Sequence, residues 1–396
     1  MKLKFKAYLF LQYFALGIWG PYLPVFLNDK HFSGLQMGLL LGTMPIVMVI
    51  FQPIWGYLSD VLGTRRNLLV ISSVSSGLAV VALGSAERFE FAFLWAILFS
   101  ALWTPIIPVS TAILLESLEE SGQEEKFSLV RLWGSVGFGV SSLLMGSLFL
   151  DQIVNTLGWF TGVTCFILAG ASLLMPEKGD GLPLPEVKGG QILTKNPRLV
   201  IYLIASTFIG ATLGIYNNYQ TLFMQYLNAQ SWLVGLTVSL QALVEVPFML
   251  LVPYALKRFG MQTAILAGAL VLPLRWLLYV FIQRPGWVAP SQVLHGVAIV
   301  SFFVVGVTYI DQLINPSWRA TGQALYGTTL YGIGSAIGVY LAGLFIEWFD
   351  LRSIWVLNIV LGLIGLGLLL IAFRQKSSVE DYPPSEEDAL PRVAED

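Results

Sequence analysis

Twelve times along the chain an apolar run long enough to cross a bilayer returns, and this recurrence restricts the fold more than any other feature. A hydrocarbon core of ~30 Å takes about 20 helical residues to span. The runs lie near 5–27, 34–57, 67–86, 90–115, 126–149, 155–175, 199–227, 231–256, 261–283, 288–312, 318–346 and 351–373. Only 12 % of the residues are charged and 56 % are hydrophobic, against roughly 25 % charged in soluble domains. The expected fold class is all-α integral membrane, with twelve transmembrane helices.

An even number of spans puts both termini on one side, and Lys and Arg concentrate in cytoplasmic loops. With the termini inside, sixteen of the 22 basic residues are cytoplasmic and only Lys30, Arg88, Arg284 and Arg352 lie outside. Arg131 and Arg275 fall within or at the edge of spans. The expected location is the cell (inner or plasma) membrane, multi-pass, with cytoplasmic termini. The first run begins with basic residues, but it continues to Leu27 and ends in "GPYLPVFLNDK" without a small-x-small cleavage site, so it reads as helix 1. One cysteine, Cys165, inside a span, excludes a disulfide framework and a cysteine-based metal site. No cofactor, metal or nucleic-acid partner is expected, and a monomer suffices.

The longest polar interruption, residues 176–198, divides the spans six and six. It is expected to be a cytoplasmic linker between bundles at 1–175 and 199–373, with a disordered acidic tail over 374–396. Two stretches match at a constant offset of 197 residues. "GYLSDVLGTRR" from Gly56 aligns with "PYALKRFGMQT" from Pro253, so that Tyr57 meets Tyr254 and Gly63 meets Gly260, while Gly38 and Gly235 keep the same register. A duplicated six-helix unit is the plan of a transporter that rocks around a site at the bilayer midplane. In the loop after helix 2, Gly56, Asp60, Gly63, Arg65 and Arg66 are candidate gate residues. Asp60 can oppose a helix end, Gly63 permits a turn with positive φ, and the arginines can meet a carboxylate on the moving half. Arg65 and Arg66 serve equally as topology-setting charges.

Charged groups at mid-membrane are unfavourable by about 2.5 to 3.5 kcal/mol on insertion scales, so they face cavities and find partners. Glu245 lies about midway along helix 8, with Gln241 one turn earlier on the same face. Helix 9 carries Arg275 and helix 10 carries His295. Desolvation favours the neutral form of a carboxyl and a neighbouring arginine favours the charged one, so a carboxylate whose arginine comes and goes can couple proton movement to a conformational cycle. Glu245 is therefore expected to be a substrate or proton site neutralised by Arg275, with a static ion pair as the alternative. His295 and Asp311, the latter at the end of helix 10, are further proton-coupling candidates. In "VRLWGSVGFG", Arg131, Ser135 and Phe138 fall at i, i+4 and i+7 and share one face, where a guanidinium, a hydroxyl and an aromatic ring can hold a ring-shaped polar solute. An Arg131 that merely snorkels to the cytoplasm is the alternative. Tyr216 and Asn217 of helix 7, with Trp19 and Tyr22 of helix 1, complete the candidate lining.

"FQPIWGYLSDVLGTRRNLL", residues 51–69, resembles the helix 2–3 signature of the major facilitator superfamily, and within it the oligosaccharide/proton symporters typified by lactose permease. Val61 stands where that signature commonly has a basic residue. The resemblance implies the major facilitator fold, two pseudo-symmetric six-helix bundles. "VEVP", "LRW" and "LHG" match in order and helix the glutamate, arginine and histidine that lactose permease uses for sugar binding and proton coupling. "RLWGSVGF" resembles the phenylpropionate transporter and nucleoside permease branches. Two departures matter. Lactose permease has a further carboxylate three residues after the histidine, where Ala298 stands here. It also has a helix 4 glutamate facing the helix 5 arginine, whereas "PVSTAILLES" is uncharged until Glu116.

The function expected is proton-coupled symport of a small polar organic solute, with no energy source besides the proton gradient. Two intramembrane arginines against one glutamate favour an aromatic carboxylate, with a nucleoside or a sugar nearly as well matched. An efflux pump or a lipid flippase on the same fold is the rival reading. An enzyme is not expected, because two His and one Cys, widely separated, assemble no nucleophile–base pair or metal site.

Overall fold

The computed structural model describes residues 2–62, 64–123, 126–177, 196–314 and 318–375, without the side chains of Lys2, Asp60, Leu62, Val154 and Ala320. Gly63, the Asp60 carboxylate, most of the central linker and nearly all of the tail therefore lie outside the described residues. The helices are α1 (Leu3–Asp29), α2 (Gly34–Ser59), α3 (Arg65–Ser85), α4 (Phe89–Glu119), α5 (Phe127–Gln152), α6 (Ile153–Ser172), α7 (Pro197–Tyr226), α8 (Ser231–Phe259), α9 (Met261–Phe281), α10 (Pro285–Leu313), α11 (Thr321–Trp348) and α12 (Ser353–Arg374), and over the described residues the eleven other than α6 are long and apolar enough to cross a membrane. Each falls within a few residues of an expected run.

The two halves repeat one packing pattern. Helix α1 lies on α5 and α6 as α7 lies on α11 and α12, and α3 lies on α6 as α9 lies on α12. The seams between halves are α2 against α11 and α5 against α8. The repeat extends to the turns. His31 and Asn228, 197 positions apart, both take a left-handed φ, +62° and +55°. They end α1 and α7 with the same set of backbone bonds, His31 to Asn28 and Phe32 to Leu27 in one half, Asn228 to Gln225 and Ala229 to Met224 in the other. Gly260 joins α8 to α9 at φ +78°, where a side chain would be strained.

Several helices depart from regularity where sequence periodicity shows nothing. Helix α1 is interrupted between Trp19 and Leu23, with Pro21 and Pro24 at the break. Helix α4 is interrupted at Thr104 and Pro105. Wide π-turns occupy Ser301–Val305 of α10 and Thr328–Gly334 of α11. The Tyr326 hydroxyl donates to the Phe302 carbonyl in the first of them at 2.8 Å.

The halves touch at one end. Gly146 of α5 meets Gly235 of α8, and a Cβ on Gly38 of α2 would lie 2.8 Å from the Cα of Gly343 on α11. Ser239 of α8 donates to the Gly139 carbonyl of α5 at 2.7 Å, and the Leu35 amide donates to Glu347 of α11 at 3.2 Å. Toward the other end the seams part. Past the contact of Val49 with Gly332, α2 and α11 leave an opening of about 580 Å³ lined by Gln52, Pro53, Gln323 and Tyr331.

Candidate functional site

Between the halves, capped by the closed end, lies a cavity of about 440 Å³, within the usual range for small-molecule sites. The three-residue stripe of α5 faces it: Arg131, Ser135 and Phe138 all line the wall, as their helical spacing requires. Opposite stand Asn217, Asn218 and Gln220 of α7 and Gln241 and Glu245 of α8. Tyr13, Trp19, Pro21, Thr221 and Phe303 also line the cavity.

Arg131 is held from α1. Its guanidinium lies 4.0 Å from the centroid of the Tyr13 ring, and Nη2 donates to the Tyr13 hydroxyl at 2.6 Å. It lines the same cavity as Glu245. Gln241 donates from Nε2 to Asn217 Oδ1 at 3.2 Å, tying α8 to α7 along the wall.

Arg275 does not meet Glu245. It is fully buried behind the wall, stacked 3.9 Å from the Tyr216 ring centroid, with Trp276 beside it. Nη2 donates to Gln292 Oε1 and Nη1 bonds His295 Nδ1, both at 3.0 Å. No carboxylate touches it among the described residues. The expected Glu245–Arg275 pair is thus replaced by a chain in which His295 stands between them. A guanidinium can only donate, so Nδ1 of His295 must accept and its proton resides on Nε2. That nitrogen faces Glu245 Oε1 at 3.6 Å, a contact that becomes a direct hydrogen bond on an approach of about 0.5 Å. Tyr216 is equally withdrawn, its hydroxyl donating to Gln292 Oε1 at 2.8 Å. Of the nine candidate binding residues, Arg131, Ser135, Phe138, Asn217, Gln241 and Glu245 share the cavity, whereas Tyr216, Arg275 and His295 form the layer behind it.

A lysine has no planar fork to serve both His295 and Gln292. Arg275→Lys should therefore lower the unfolding free energy by about 2 kcal/mol. Thermal unfolding in detergent reads this, and an unchanged Tm would mean that the two bonds carry no weight.

The other candidates sit apart. Asp311 accepts both its bonds from Gln323 Nε2, at 2.9 and 3.1 Å, near the open end. Arg65 pairs with Glu116 of α4, and Arg66 pairs with Glu177 beyond α6 at 2.7 Å. Among the described residues both arginines thus pair with carboxylates of their own half. The same pairing holds Glu116, which explains why it does not face Arg131. Gly56 has open space around the position of a Cβ, so no close approach demands a glycine there. Tyr22 is structural, buried with its hydroxyl on the Ser142 carbonyl at 2.6 Å. Sequence reasoning missed Tyr13, Thr221 and Phe303. Within helices already rich in aromatic and small residues, nothing marks them.

The chain matches the MFS_1-like family over residues 2–357. It is 27 % identical over 387 residues to the maltose permease of Geobacillus stearothermophilus, covering 96 % of this chain and 97 % of that one. It is 26 % identical to the xanthosine permease of Escherichia coli (strain K12), covering 89 % and 91 %. The crystal structure of the nucleoside transporter NupG superposes with a TM-score of 0.85 at 20 % identity, covering 95 % and 99 %. With twelve helices paired by repeat, seams at α2–α11 and α5–α8, and a polar cavity between the halves, the chain belongs to the MFS_1-like family and has the major facilitator fold of a membrane transporter, not an enzyme.

Proposed function

We propose that this transporter carries a neutral, hydroxylated solute of the nucleoside or saccharide kind, together with a proton, by alternating access. One observation carries the substrate class: the cavity wall presents a single guanidinium, Arg131, and a single carboxylate, Glu245, among amides and aromatic rings. Sealing Arg275 away removes the surplus positive charge that favoured an aromatic acid. Amides and hydroxyls match sugar hydroxyls, and the faces of Tyr13, Trp19 and Phe138 match a sugar's apolar face or a nucleobase. The likeness to maltose, xanthosine and nucleoside transporters supports this reading.

Glu245 is the proton carrier in this reading. It is the one carboxylate lining the cavity among the described residues, and His295 offers it an N–H from behind. The open end is the cytoplasmic one, since Arg65, Arg66, Lys257 and Arg258 sit there, so the conformation is open to the cell interior.

The test is binding of inosine, maltose and 3-phenylpropionate to the purified protein, read by thermal shift. A ligand at 100 times its Kd adds about 2.7 kcal/mol of stability. Stabilisation by inosine or maltose supports the reading, and stabilisation by the aromatic acid alone overturns it. In the same assay Arg131→Lys should weaken binding about tenfold, because the planar fork and its stacking on Tyr13 are lost. Unchanged affinity would make Arg131 an anchor for α1 only.

A further inference from the structure

The closed end of the cavity carries a cluster of donors that the proposed binding face does not use. Trp19 Nε1, from α1, and Gln220 Nε2, from α7, are buried and have no hydrogen-bond partner among the described residues. Both residues line the cavity. Beside them Thr221, also buried, donates its hydroxyl across the halves to the carbonyl of Pro21, at the break in α1. An indole N–H and an amide NH₂ can only donate, and buried donors left unmade are unfavourable, so this floor selects an acceptor.

We propose that Trp19 and Gln220 form a subsite for a sugar moiety, ribose or pyranose, whose hydroxyl and ring oxygens accept from Trp19 Nε1 and Gln220 Nε2, with the Thr221–Pro21 bond beside them. The inference rests on the hydroxylated-solute reading and adds where the sugar goes. Its donors come from both halves, Trp19 from the first and Gln220 from the second. The subsite is therefore complete only while this end is shut, and parting of the halves separates the donors. A solute bound there holds the gate closed through its differential affinity for the two states. The Thr221–Pro21 bond does the same without solute. Of the cross-half polar contacts at this end among the described residues, it is the one whose two residues both line the cavity. It can therefore report occupancy to the gate.

The experiment uses the full chain with spin labels at Glu87 and Gln283, exposed on loops of opposite halves at the closed end. The sole cysteine, Cys165, is buried and takes no label. Without solute, Thr221→Val should raise the long-distance population several-fold while Thr221→Ser matches the parent. With inosine or maltose, the parent's distances should shorten. Gln220→Met, which keeps bulk, and Trp19→Phe, which keeps an aromatic face, both remove the donor and should raise Kd for those solutes about tenfold, the factor of one hydrogen bond. Parent-like distances in Thr221→Val overturn the tie whichever solute is carried. A parent that binds inosine or maltose, with Gln220→Met and Trp19→Phe binding equally well, overturns the subsite alone. A parent that binds neither overturns the hydroxylated-solute reading and the subsite together.

Discussion

With Glu245 replaced by Gln, the protein should still exchange labelled for unlabelled solute across a liposome membrane but should not accumulate it. Gln fills the same volume and keeps an amide oxygen that can accept from His295 Nε2, so the cavity and the cycle of the loaded carrier survive. What it lacks is a group that gains and loses a proton. A potential of 100 mV is worth about 2.3 kcal/mol per charge, enough for about 50-fold accumulation when one proton moves with a neutral solute. That ratio should fall to about one, the value for carriers that only equilibrate. The measurement is uptake into proteoliposomes under an imposed proton gradient, with counterflow as the control. Persisting accumulation would remove Glu245 from the proton path. His295 is a poor substitute, because its second proton would go on Nδ1, the atom that accepts from the buried Arg275.

The second large effect lies at the closed end. Gly146→Val should leave the two halves unable to meet there. A Cβ on Gly146 would run into the backbone of Gly235 and the hydroxyl of Tyr22, and a Cβ on Gly235 would likewise lie 2.8 Å from the Leu143 carbonyl, so neither side of the contact has room for a side chain. Backbone gives way less than a flexible side-chain end, so the penalty belongs at the upper part of the overpacking range, about 3 kcal/mol, or about 100-fold in the population of the closed state. Transport should fall accordingly, and label distances across the gate should lengthen. Gly170→Val, at a helical position with nothing within 4 Å of a Cβ, serves as the control. Normal distances in Gly146→Val would mean that α5 and α8 close at this end through other contacts.

The sequence made legible what depends on period and length. Apolar runs located the twelve helices because a span has one length, and a helical face made Arg131, Ser135 and Phe138 neighbours by spacing alone. The offset of 197 anticipated a repeat that reaches the left-handed turns at His31 and Asn228. What the sequence left obscure depends on distances between helices. Glu245, Arg275 and His295 follow one another along the chain, but rotation of α9 and α10 decides which of them touch, and it places the imidazole between the two charges. Likewise Arg65 and Arg66 display charge in sequence but not partners. Glu116 lies on α4 and Glu177 beyond the end of α6, in the same half, and no local pattern links them to the arginines.

The two π-turns bear on how the chain can change over evolution. Each holds one residue more than the α-helical turn it replaces, and the surplus is absorbed as a local bulge, so the flanking helix keeps its facing. A single-residue deletion within Ser301–Val305 or Thr328–Gly334 would convert the bulge to regular helix and leave both flanks on their present neighbours. The same deletion within the unbroken α9 would turn everything beyond it by about 100° and carry Arg275 or its partners off the buried face. Helices α10 and α11 are therefore where chain length can drift by one without dismantling the seam at Gly343 or the layer behind the cavity.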